Sequence, residues 1–130
     1  ELTSARFNEL WLDTQRDMFG DSVTMTDEYG YWWSYVPHFL HTPGYVYAYS
    51  FGELLVLALY KLYQEEGESF VPKYVNLLAD GDSNYPDQLL AEVGVDINDP
   101  NFWQKGIDVI AEMVEQAEAL AKELYPEKFA

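Results

Sequence analysis

Prolines and glycines cut this chain into helical lengths, and that punctuation limits its fold more than any other feature. Four of the six prolines, Pro43, Pro72, Pro86 and Pro100, stand where an apolar pattern of helical spacing begins. Proline suits a first helical turn because its missing N–H would have had no partner inside the helix. Gly20, Gly67 and Gly94 follow the ends of such patterns, where helices commonly stop. No segment alternates with a period of two, so the expected class is all-α, with neither a repeat nor a low-complexity tract.

The first helix is expected over Leu2 to Phe19, with Phe7, Leu10, Trp11 and Met18 among its apolar positions. Asp21 to Tyr31 is rich in Asp, Ser, Thr and Gly and is expected to be a loop. Tyr31 to Leu40 is aromatic, with Pro37 interrupting it, and leaves room for a short helix at most. A long helix is expected from Pro43, capped by Thr42, to Glu66. Its centre is apolar on every side, which predicts a central buried helix in a compact multi-helix domain. Shorter helices are expected over Val71 to Ala79 and Pro86 to Val93, and a last one from the Asp99-Pro100 start to about Tyr125.

The chain's 130 residues suffice for one ordinary domain with a real core. A formal net charge of -16 would repel phosphate backbones and anionic lipid, so nucleic acid and membrane surfaces are not expected partners. The most apolar window, Leu54 to Tyr60, falls far short of the ~20 residues of a membrane-spanning helix. With Glu1 first and no basic-then-apolar opening, neither a signal nor a transit peptide is legible. The absence of cysteine excludes disulfides and thiolate chemistry and suits a reducing, cytoplasmic setting.

Common catalytic signatures are missing. There is no Gly-rich phosphate loop, no nucleophile elbow and no His-Glu-x-x-His pair, so no metal site is expected within the chain. Asp27-Glu28 and Glu65-Glu66 read as solvated charges, and Gly81-Asp82-Ser83-Asn84 reads as a turn, since it lacks the spaced ligands of a calcium loop.

What remains is VPHFLHTPGYVYAYSFGELLVLALY, residues 36 to 60, which holds both histidines, His38 and His41, and three alternate tyrosines. At ~100° per residue Tyr45 and Tyr49 would share a helix face, with Tyr47 roughly opposite. Carried backwards past Pro43, which can bend the path, the same period puts His38 near that face. Two readings fit. Either the tyrosines are amphipathic packing residues with hydroxyls at the rim, or phenol and imidazole groups form a rigid set of neutral donors for a developing oxyanion. Gly44 and Gly52 would leave room there for a substrate's backbone.

Longer motifs add to this. Pro37-His38-Phe39, Pro43 with Tyr45-Val46-Tyr47-Ala48-Tyr49, and Leu54 to Tyr60 occur in order with Tyr74 to Leu78, Gly81-Asp82-Ser83, Pro86 to Leu90, Ala91 to Asp96 and Phe102-Trp103. From about Leu10 to Glu123 the chain resembles the carboxy-terminal part of the oligoendopeptidase F family of zinc metallopeptidases, relatives of thimet oligopeptidase. The resemblance implies a helical bowl around a deep channel, with zinc held by a His-Glu-x-x-His motif and a later glutamate outside these residues. It implies catalytic roles for His38 and Tyr49 at the scissile carbonyl and its tetrahedral intermediate. Tyr45 and Tyr47 would line the substrate channel, with His41 matching only part of the family. The chain departs from the usual pattern at Gly44, where a large aromatic is common, and at Ser50, usually alanine.

The expected function is thus the oxyanion and substrate-binding wall, residues 1 to 130, of a zinc-dependent oligopeptidase acting on short peptides. Its partners would be those peptides and the upstream part of the same protein. The chain alone is expected to be inactive and to bind no zinc. The alternative is a freestanding acidic helical domain that binds a peptide or partner helix without chemistry.

Overall fold

The computed structural model describes residues 1–129, and among them every regular element is helical. Six α-helices run in order: α1 Ser4–Phe19, α2 Pro37–His41, α3 Tyr47–Glu66, α4 Val71–Asp80, α5 Pro86–Glu92 and α6 Pro100–Leu124. The chain divides into two compact units, Glu1–Ala48 and Tyr49–Ala130.

In the first unit, Thr3 caps α1 by accepting the Arg6 backbone N–H on its hydroxyl at 3.3 Å. One face of α1, at Asn8, Leu12 and Gln15, meets a 3₁₀ helix over Asp27–Tyr35. Gly30 is buried there, and a Cβ on it would lie 3.3 Å from Leu12 Cδ1. Two polar contacts fix the register, Trp33 Nε1 donating to Asn8 Oδ1 and the Tyr29 hydroxyl donating to Gln15 Oε1, each at 2.7 Å. Phe7 packs on Trp33 with ring centroids 5.1 Å apart. The expected loop is therefore partly 3₁₀ helix, because aromatic residues from Tyr29 to Trp33 gain more by packing on α1 than by solvation. Pro37 begins α2 rather than interrupting a helix.

In the second unit the core is Ala58, Leu59, Phe70, Leu90, Val93, Val95 and Phe102, with Leu55, Leu62, Leu77, Ile97 and Trp103 packed against it. Gly106 of α6 allows a close crossing of α3, since a Cβ on it would stand only 2.7 Å from Leu54 O. Ion pairs tie the same two helices: Lys61 Nζ to Glu112 Oε1 and Lys105 Nζ to Glu65 Oε2, both at 2.6 Å. The bond to Glu112 raises the Lys61 pKa against the opposing effect of desolvation. Trp103 Nε1 donates to Ile97 O at 2.8 Å, fastening the start of α6 to the loop before it.

The expectation of a central buried helix needs correction. Only Ala58 and Leu59 of α3 are buried, while Val56, Tyr60 and Tyr63 are exposed. An all-round apolar sequence permits burial on every side, but the helices of this unit cover one side of α3 and leave the tyrosine side open. The glutamates expected to be merely solvated are also exposed yet paired, Glu65 with Lys105 and Glu66 with Lys73.

Candidate active-site segment

The start of α3 also departs from expectation, since the helix begins at Tyr47 and not at Pro43. Thr42 does not cap the start of α3; it ends α2, its backbone N–H donating to His38 O at 3.3 Å. Its carbonyl instead accepts the Tyr45 N–H at 3.1 Å, closing a tight turn with Pro43 second and Gly44 third. Gly44 has φ 81°, the left-handed conformation this kind of turn requires at its third position. Tyr45 thus precedes the helix, and the helical periodicity that would have joined its face to that of Tyr49 does not run through it.

The turn brings together two of the expected site residues. His38, in the short helix α2, stacks on Tyr45 with ring centroids 5.2 Å apart and planes at 28°. The stack fixes the plane of the imidazole, so both ring nitrogens point outward within that plane. His41 closes α2 and is exposed. Tyr47 and Tyr49 open α3, and both are exposed. Beyond Tyr49, a Cβ on Gly52 would meet nothing within 4 Å, so that stretch of helix surface is bare.

Further along α3 lies a half-open apolar groove of about 330 Å³. Its α3 side carries Val56, Tyr60 and Tyr63, its α4 side Val71 and Tyr74, and the buried Phe70 lies between. The spacing 49, 53, 56, 60, 63 holds the signal for this stripe, but it is masked in the sequence because the other sides of α3 are apolar too.

Among the described residues no three His, Cys, Asp or Glu side chains converge as a metal site would need. The zinc implied by the resemblance therefore does not fit the donor set of this chain, and no chemical step can be routed through it here. No helix among these residues is long and apolar enough to cross a membrane.

The sequence model of Peptidase family M3 matches residues 1–109. The chain belongs to this family. Oligopeptidase PepF of Bacillus subtilis (strain 168) is 31% identical over 119 residues, which are 92% of this chain and 18% of that protein. The plasmid-encoded oligoendopeptidase F of Lactococcus lactis subsp. cremoris is 25% identical over 121 residues, 93% of this chain and 20% of its own length. An oligoendopeptidase F homolog of Borreliella burgdorferi is 32% identical over 89 residues, covering 68% of this chain and 15% of the relative. The chain thus spans about a fifth or less of these family M3 relatives, and no solved structure matches it.

Proposed function

We propose that residues 1 to 130 are the carboxy-terminal helical part of the catalytic domain of a zinc-dependent oligopeptidase that hydrolyses short peptides. The observation that carries this reading is the family match over residues 1–109, a range that includes the segment Pro37 to Tyr49 with His38, Tyr45 and Tyr49. Zinc dependence belongs to the complete protein, with the ligands outside this chain. The cysteine-free composition suits a reducing compartment, and we place the enzyme in the cytoplasm.

The role assigned to Tyr49 follows from its chemistry. A phenol is a neutral O–H donor, and on the first turns of a long helix its position is fixed by the helix rather than by a loop. Donating to the oxygen of the scissile carbonyl, it would bind more strongly as that oxygen gains negative charge, which lowers the barrier more than it tightens substrate binding. His38 would donate from the edge of a ring held flat on Tyr45. Tyr45, Tyr47 and His41 would line the path of the substrate.

Kinetics of the complete peptidase test the assignment. Tyr49→Phe should lower kcat about 10² to 10³ fold, the usual effect of one lost oxyanion donor, and leave KM nearly unchanged. Tyr47→Phe, removing the hydroxyl of a residue that is 70% exposed, should do much less. The reverse order, or a change in KM alone for Tyr49→Phe, would make these tyrosines packing or binding surface.

A further inference from the structure

At ~100° and ~1.5 Å per residue, Tyr49, Glu53, Val56, Tyr60 and Tyr63 form one band about 80° wide along α3. All but Glu53 are aromatic or branched apolar residues standing in solvent, and the last three form one wall of the groove against α4. Glu53 is the only charge in the band. It is exposed, and among the described residues no cation reaches it. The lysines of this unit that could have done so are engaged elsewhere: Lys61 with Glu112, Lys73 with Glu66 and Lys105 with Glu65.

We propose that this band is a specificity track on which Glu53 receives a Lys or Arg side chain of the peptide and the α3/α4 groove receives an aromatic or branched apolar side chain farther along it. The proposal rests on the reading of Tyr49 as the residue at the scissile carbonyl. Charge decides the occupant's first feature. A chain of net charge -16 attracts cationic peptides and repels a second copy of itself, and the bare carboxylate of Glu53 gives that attraction a fixed address. Apolar lining decides the second, since the groove offers only phenol rims around a hydrocarbon interior.

Spacing sets the order. Glu53 lies ~6 Å along the axis from Tyr49, and Tyr60 lies ~10 Å beyond Glu53. An extended peptide advances ~3.3 Å per residue, so the basic residue belongs about two positions from the scissile bond and the apolar one about three positions farther.

The test is equilibrium binding to the 130-residue chain by fluorescence anisotropy, using three labelled decapeptides that differ at two sites: Arg with Phe three positions on, Glu with Phe, and Arg with Ser. The Arg/Phe peptide should bind about tenfold tighter than Arg/Ser, the effect of placing an aromatic ring in a half-open apolar groove. It should bind roughly two- to fivefold tighter than Glu/Phe, as an exposed ion pair allows. Glu53→Arg should reverse the Arg-over-Glu preference while keeping the Phe-over-Ser preference, and Tyr63→Ala should do the opposite. Glu53 is on the surface, so its charge reversal leaves the fold intact; circular dichroism on Tyr63→Ala separates a lost groove from a lost helix. An unchanged charge preference in Glu53→Arg, or equal binding of Phe and Ser peptides by the parent chain, overturns the proposal. Failure of the Tyr49 reading looks different: Tyr49→Phe would leave turnover of the complete enzyme unchanged, whatever the peptides do here.

Discussion

Gly44 shows how one residue redirects a candidate site. Its φ of 81° lets the chain turn between Thr42 and Tyr45, and the turn places Tyr45 against His38. A side chain at that φ costs roughly 1 to 2 kcal/mol, so Gly44→Ala should lower the stability of the chain by about that amount in urea unfolding. Gly44→Phe should be no better tolerated than Gly44→Ala despite open space around the site, because the strain is in the backbone. Equal stability of parent and Gly44→Ala would mean that the turn relaxes to another shape.

At the scale of elements, contact between α3 and α6 depends on the missing Cβ of Gly106. Gly106→Ala would bring a methyl group to 2.7 Å from Leu54 O, and because that atom is backbone a helix has to move. The expected cost is roughly 1 to 3 kcal/mol, read as a lower midpoint in thermal unfolding. The 3₁₀ helix over Asp27–Tyr35 responds instead to acid. Its Glu28 carboxyl is held below the ordinary value of 4.5, first by its own backbone N–H and then by the Thr26 hydroxyl. A lowered folded pKa means the contribution is full above pH 4.5 and is lost as pH falls through the lowered value. Glu28→Gln should therefore lower the melting temperature slightly at pH 7, where the contribution is full, and the two proteins should converge as pH falls well below 4.5. These elements also show what the sequence could reveal. Helices α1, α4, α5 and α6 were legible to within two residues at each end, because proline, glycine and cap residues mark them. The contact face of α1 was not, since it pairs Leu12 with Asn8 and Gln15, polar residues whose partners are the N–H and O–H of distant aromatic rings. Nor was the true start of α3, because Thr42-Pro43 serves equally as a helix opening and as the first half of a turn.

For the whole molecule, the governing facts are its share of the family's length and its charge. The 119 matched residues cover 18% of the Bacillus subtilis relative, and the chain carries no converging set of metal ligands among the described positions. Purified, the chain should hold zinc no better than background after dialysis and should hydrolyse no peptide. Stoichiometric metal by elemental analysis, with hydrolysis abolished by a chelator, would refute the proposal that the ligands lie elsewhere. The histidine and tyrosines of the candidate site were visible in the sequence as an ordered motif. The groove was not, because its α4 wall is folded back by the turn after Glu66 and no spacing along α3 alone announces Val71 and Tyr74.

The two units also differ in how they handle light. Trp11, Trp32 and Trp33 all lie in the first unit, whereas Trp103, its indole hydrogen-bonded to Ile97, is alone in the second. In Trp103→Phe all remaining indole emission comes from residues 1–48, and subtracting it from that of the parent isolates the glow of the second unit. One cuvette can thus record two melting curves, and their coincidence or separation reports whether the halves of this chain lose their structure together.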